Sequence, residues 1–239
     1  MPIEGNTWSR ARLLTGLAID HLGIVVADCA PIIALFRKHG FQVSEPQQLM
    51  GEDGPLGQTS AHCVFDNGYI EISAPVPGSG NHLEPLLAMG EGIRILVLGS
   101  TDCQDDHRRL SKGGLNVGSI RQSSRAAGPP TSRHIAKFTW FEIADIVPGL
   151  MVAVVQHHDH NNVLHPELRK HPNGAFKITD VVFGASGSCL APLRAHANTG
   201  GITSLINPEI DQPVVGISVH AESYFELQSE GFVLRSTYE

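Results

Sequence analysis

Charged side chains make up only 17% of the 239 residues, aromatic ones 6%, and cysteine occurs four times. Each scarcity excludes something. The formal charge is -7 and no stripe of Lys and Arg is present, which argues against a phosphate-binding surface and so against a nucleic-acid partner. No apolar run approaches the roughly 18 residues of a membrane-spanning helix, so no membrane is expected. Cys29, Cys63, Cys103 and Cys189 form no CxxC pair, and scattered thiols suit a reducing compartment. The stretch from Met1 to Arg12 has neither a long apolar core nor a small-residue cleavage site, so a cytoplasmic protein is expected. Ser–His–Asp catalysis finds no nucleophile elbow, because Gly78-Ser79-Gly80 lacks a strand-to-helix setting. The expected partner is a small molecule.

What the chain does have is histidine: thirteen, of which four fall between His157 and His165. Two ionisable groups stand out because of where they sit. His21 lies in the apolar run Ile19-Asp20-His21-Leu22-Gly23-Ile24-Val25-Val26, and Glu71 in Asn67-Gly68-Tyr69-Ile70-Glu71-Ile72. Burying an unpaired charge in a strand costs several kcal/mol at least, on the order of magnitude of a whole interaction network. Imidazole nitrogen and carboxylate oxygen are ligands of Zn, Fe, Mn or Ni, so one divalent ion would satisfy both. A Glu71–Arg94 ion pair is the competing explanation for the carboxylate.

The pattern of elements repeats. A strand at 19–26 precedes a helix capped by Asp28 and stopped by Gly40, short strands follow at 41–43 and 60–65, and a turn at 66–68 leads into a strand at 69–73. A Pro/Gly-rich linker at 74–80 interrupts. Then come a strand at 93–98, a helix from Asp102 to Lys112, a strand at 115–117, and strands at 138–143 and 150–156. Asp28 to Gly40 and Asp102 to Gly114 have the same length, so two copies of a βαβββ unit are expected. From His171 onward the trace is partial: a strand at 176–183, a helix at 190–197, a strand at 214–219, a helical segment at 223–228 and a strand at 232–234.

These residues resemble the vicinal oxygen chelate superfamily, and within it the glyoxalase-like domain proteins. The resemblance rests on the two strand motifs above, with Phe65-Asp66 preceding the second, and on His165-Pro166-Glu167 and His171-Pro172-Asn173-Gly174. It covers roughly residues 17–185. It implies an α+β fold in which tandem βαβββ modules form an open, curled mixed sheet over residues 15–160. Residues 161–239 add a partial repeat that packs on or completes this core. It also implies a divalent metal with His21 and Glu71 as ligands. Aligning Asp28 with Asp102 sets Ile95 opposite His21, and Ile95 cannot coordinate. The third ligand is then sought at Gln156, His157 or His158. Strand alternation places His157 on the opposite face from the other two, and His157 is the one preferred.

The resemblance implies a metal-dependent lyase or isomerase that binds vicinal oxygens of a small oxygenated substrate. Glu71, His62 and His158 are the expected proton carriers. Arg94, Arg125 and Tyr69 are the expected substrate contacts, with Arg121, Arg125 and Arg133 flanking a loop at 123–132. A ring-cleaving dioxygenase with non-haem Fe(II) and a metal-free small-molecule binding protein are the alternatives. A homodimer is expected from the habit of the superfamily.

Overall fold

The structure, a computed structural model, describes residues 12–14, 16–129, 131–190, 202–229 and 231–237. Its first sheet is built on three apolar strands, β1 (Ala18–Val25), β4 (Gly68–Pro75) and β5 (Gly92–Gly99), each with nearly every residue buried. Strands covered on both faces read as continuous apolar runs. β1 lies parallel to β4 and antiparallel to β5, and β5 is parallel to β9 (Leu150–His157). β3 (Gly54–Phe65) and β8 (His134–Val147) are the long antiparallel partners of β4 and β9.

The expected open sheet is in fact closed. β2 (Gln47–Gly51) pairs with β3 on one side and, through Met50 and Gly51, with β7 (Arg121–Ala127) on the other. β7 pairs with β8 along its whole length, and β8 with β9, so the strands form a ring. The two-residue β6 (Asn116–Val117) attaches to β8 outside this ring. β2 and β7 are polar, which is why no apolar alternation marks them and why 123–132 reads as a loop. Their backbone donors and acceptors close the barrel regardless of side chain. Residues 41–43 are not a strand.

Two helices lie outside the barrel. In α1 (Cys29–Lys38) the Asp28 carboxylate accepts from the Ala30 amide, and in α3 (Cys103–Lys112) the Asp102 carboxylate accepts from the Asp105 amide. These matching caps mark the internal repeat. Beyond the Pro/Gly-rich linker, α2 (Leu83–Ala88) brings Leu83, Leu86 and Leu87 onto an apolar cluster with Ile95, Val97 and Val155. On Tyr69 and Val64 rests a different cover: Val163, which ends α4 (His160–Val163), with Leu164 and Leu168.

A second sheet runs β11-β10-β12-β14-β13, from β10 (Lys177–Gly184), β11 (Thr203–Asn207), β12 (Val214–His220), β13 (Glu226–Ser229) and β14 (Phe232–Thr237). β12 is parallel to β14 and antiparallel to β10, which is parallel to β11. This is the same order of directions as β4, β1, β5 and β9. The segment expected to be helical at 223–228 instead ends in β13, because Glu226 to Ser229 pair with β14 and Leu227 alternates inward. The helix expected at 190–197 lies, beyond Leu190, outside the described residues.

One apolar core joins the two sheets. Phe225 meets Phe41 edge-on at 5.0 Å, and Phe232 lies 6.4 Å from Phe36 of α1. Where the β13–β14 turn touches the start of β5, Gly231 adopts φ +84° and a side chain there would collide with the Glu91 carbonyl. Glycine is needed for both reasons. Among the described residues, no helix is long and apolar enough to cross a membrane.

Candidate active site

The barrel interior holds a cavity that opens to solvent and is lined by both ionisable and apolar side chains. His21 enters it from β1, Tyr69 and Glu71 from β4, and His62 from β3, where it pairs directly with Glu71. Alternation on β9 puts Met151, Ala153 and Val155 on the same wall. By parity His157 also turns inward, and Gln156 and His158 turn out. Gln156 accepts from the Cys103 amide and donates to the Thr101 carbonyl, and His158 sits 2.8 Å from the Thr139 hydroxyl at the surface. His158 is therefore not among the cavity groups, against the expectation that it carries a proton there.

A β-bulge organises the charged groups. The pairing of β1 with β5 slips between Ile19 and His21, which leaves Asp20 as the extra residue. The Asp20 carboxylate then reaches the ring of its own neighbour, His21 Nδ1, at 2.6 Å, and His157 Nε2 at 3.1 Å. Burial alone would raise its pKa, but the charges of and hydrogen bonds from His157 and His21 hold it well below the usual carboxylate range. An ionised carboxylate only accepts, so both nitrogens donate to it. His21 thereby presents its Nε2 to the cavity.

At that Nε2 stand the Tyr69 hydroxyl, 3.3 Å away, and Glu71 Oε2 at 3.7 Å. Tyr69 stacks on the imidazole with centroids 4.1 Å apart. Burial and the charge of Asp20 push the phenol up, Arg125 opposing, so it stays protonated. Glu71 is 9% exposed, and no hydrogen bond reaches its carboxylate among the described residues. His62 is buried, and desolvation together with the charges of Arg125, His21 and His157 pushes it well below its usual range, so it is neutral. His82, just before α2, also lines the cavity; burial pushes it down, with Glu71 opposing.

The expected ligands divide between two sides of one ring. Asp20, His21 and His157 form a carboxylate and two-imidazole cluster with all ligand atoms within 4.8 Å. The 2.6 Å contact within it is hydrogen-bond length, and short for two atoms sharing an ion. On the other side, 3.7 Å between His21 Nε2 and Glu71 Oε2 is too long for a hydrogen bond. Two ligand atoms each about 2.1 Å from one ion stand roughly 3 to 4 Å apart. His157 thus keeps company with Asp20 and not with Glu71.

The substrate contacts expected from sequence also separate. Tyr69 and Arg125 line the cavity. Arg94 does not: Ile95 and Val97 take the inward positions of β5, and the Arg94 guanidinium donates to the Met89 and Gly90 carbonyls. The Glu71–Arg94 pair does not form. Sequence reasoning missed Asp20, Gln58 and His82. Asp20 carried a signal, since two successive ionisable residues in an apolar strand demand a bulge or an exposed face.

Register gives the equivalence of the two modules. Gly23 pairs with Ile95 and His21 with Val97 across β1 and β5, while Gly23 pairs with Glu71 and Val97 with Ala153 along the parallel pairs. His21 therefore corresponds to Ile95, and Glu71 to Ala153. Neither residue of the second module coordinates a metal.

Comparison with known proteins agrees with this architecture. A protein of unassigned function from Staphylococcus aureus has the same fold over 93% of this chain and 100% of its own, with TM-score 0.66 at 11% identity. Methylmalonyl-CoA epimerase from Mycobacterium tuberculosis matches 58% of this chain and 87% of its own at 22% identity and TM-score 0.43. A hypothetical protein from Bacillus halodurans matches 61% and 98% at 14% identity and TM-score 0.42. No curated protein matches. The glyoxalase-like domain profile matches residues 19–193, most of the chain, and with the barrel of paired modules already described the chain belongs to the glyoxalase-like domain family of the vicinal oxygen chelate superfamily.

Proposed function

We propose that the protein is a glyoxalase-like enzyme of lyase or isomerase type that moves a proton on a small oxygenated substrate, and that His21 and Glu71 would hold a divalent cation for it. The observation that carries this reading is the pairing of a hydrogen-bond-free buried carboxylate with an imidazole nitrogen 3.7 Å away, while Asp20 fixes the other nitrogen. A carboxylate behind a ligating histidine orients the ring and raises its basicity. A cation so placed supplies Lewis acidity toward vicinal oxygens of the substrate.

The chain's own residues do the rest. Glu71, with no donor holding its carboxylate, accepts the proton from carbon. Tyr69 presents a protonated hydroxyl beside it, and neutral His62 on the neighbouring strand takes or returns a second proton. Ile95, Val97, Ala153 and Val155 exclude water from the opposite wall. In this reading residues 15–160 supply the site and residues 161–239 brace it from behind. The test is elemental analysis of purified protein before and after Glu71→Gln. Near-stoichiometric metal in the parent, lost in the variant, is expected; iron in place of a redox-inert ion would shift the chemistry toward ring cleavage.

A second reading is a metal-free binding protein, favoured by the apolar Ile95 and Ala153 at the ligand positions of the second module. It requires a parent that takes up no cation on reconstitution and returns a bound ligand unchanged.

A further inference from the structure

Among the described residues, the buried polar atoms with no hydrogen-bond partner are His157 Nδ1, Arg169 Nε and three on residues that line the cavity: Gln58 Oε1, His62 Nδ1 and Arg125 Nη2. All three residues are more than nine-tenths buried, at 3%, 4% and 7% exposure, and all three line the cavity. Leaving a buried donor or acceptor unsatisfied costs on the order of 1–3 kcal/mol each, and more for a charged group. Three such atoms around one cavity describe the polar groups of what belongs there.

Arg125 decides the charge. It projects from β7, its guanidinium carbon 5.5 Å from the centre of the Tyr69 ring. Within the protein it makes a long hydrogen bond from Nη1 to the Ala126 carbonyl at 3.4 Å and one to the Tyr69 hydroxyl, which leaves Nη2 without a partner. None of the ion pairs among the described residues includes it. A buried guanidinium with a free edge and no counter-ion recognises a planar anion. Glu71 lines the same cavity and opposes a second negative charge, so a monoanionic carboxylate fits better than a phosphate dianion. Gln58 adds a requirement of a different kind. Its Nε2 is already used on the Ser60 hydroxyl, and the free Oε1 needs a donor. The remaining wall, Phe138, Trp140, Ile95 and Val155, is hydrocarbon.

We propose that the cavity binds a small hydroxycarboxylic acid with an apolar tail, its carboxylate on Arg125 and its hydroxyl toward Gln58 and His62. This rests on, and deepens, the catalytic reading above by naming the substrate class of the same site. Arg125 and Glu71 line the same cavity, so a carboxylate held on Arg125 shares that cavity with the proposed proton acceptor.

The test measures binding to chelator-treated protein, which removes any dependence on a cation. The probes are 2-hydroxy-4-methylpentanoate, its methyl ester, 4-methylpentanoate and inorganic phosphate, by calorimetry. The hydroxy acid is expected to bind best, the acid lacking the hydroxyl less well, and the ester and phosphate weakly. Arg125→Gln should weaken the hydroxy acid about 10- to 100-fold and leave the ester unchanged, while Arg121→Gln, on an exposed residue over Trp140, changes neither. Arg125→Gln should also raise the melting temperature of the ligand-free protein, because an uncompensated buried cation is removed. A structural arginine would lower it. Equal binding of acid and ester, preference for phosphate, no binding of any probe, or a melting temperature lowered by Arg125→Gln overturns the proposal. Metal content of the same variant keeps the two readings apart. Intact cation uptake without carboxylate discrimination sinks only the substrate class, and carboxylate discrimination without cation uptake sinks only the metal.

Discussion

The two halves of the barrel share a backbone and differ in chemistry. At equivalent positions the first module carries His21 and Glu71, and the second carries Ile95 and Ala153. In the function proposed above, the first half holds the proton-transfer groups, and the second half supplies, with Arg125, an apolar wall that strengthens their electrostatics. Duplication yields a scaffold with two potential sites, and this chain invests in one.

The largest expected effect comes from making the first module like the second. His21→Ile with Glu71→Ala should lower turnover by about 10²- to 10⁴-fold, the usual contribution of a positioned acid or base. The readout is exchange of the α-hydrogen of the hydroxy acid with deuterated water, followed by NMR, and an undiminished rate would move the chemistry elsewhere. The converse change, Ile95→His with Ala153→Glu, places unpaired ionisable groups in a dry wall. It should cost about 3–5 kcal/mol in metal-free protein and be recovered by added divalent cation. Denaturant titration with and without the ion measures both, and a variant indifferent to the ion would break the equivalence.

A difference in how the halves are braced gives a pH effect. His171 accepts from the Gln42 amide at Nδ1 and donates to the Val64 carbonyl from Nε2, both at 2.9 Å and both on the first module. Burial, partly offset by the Val64 carbonyl, pushes its pKa down to about 4. A histidine held neutral in the native state takes up its proton first in the unfolded chain. Its contribution is therefore intact above the ordinary value of about 6.5 and is lost as pH falls through about 4, a loss of about 3 kcal/mol by linkage. Urea midpoints measured across that range, against His171→Gln, check the sign and the size.

The smallest effect is steric. Gly23 faces the cavity between Glu71 and Ile95, and a Cβ there would stand 2.7 Å from the Ile95 side chain. Gly23→Ala should cost about 1–3 kcal/mol as overpacking and weaken the carboxylate probe, measured by the same titrations. Unchanged probe binding would show that this corner is not occupied.

How much of this was legible in the sequence follows from what each residue advertises. His21 and Glu71 announced themselves because an apolar strand rarely spends a position on an ionisable group. Asp28 and Asp102 marked the repeat because an N-cap needs a short acceptor, and the register returns the correspondence of His21 with Ile95 that their spacing implies. β2 and β7 were hidden because the ring is closed by backbone pairing of polar segments. With them was hidden the strand that carries Arg125 into the cavity. Arg94 misled because one residue of parity turns a side chain to the opposite face of the strand, where the Met89 and Gly90 carbonyls hold it. His157, preferred from the sequence as the third ligand, is instead drawn to Asp20 by a bulge, which local composition does not encode.

Closure of the barrel also bears on self-association. A ring offers no unpaired strand edge to another molecule, and β6, its only appendage, is two residues long. Besides that two-residue appendage, the free edges among the described strands are β11 and β13 of the second sheet. β11 shows Leu205 and Ile206 to solvent, at 39% and 47% exposure. An apolar unpaired edge is a template for self-association, and charge placed at Leu205 or Ile206, which do not line the cavity, is expected to suppress it.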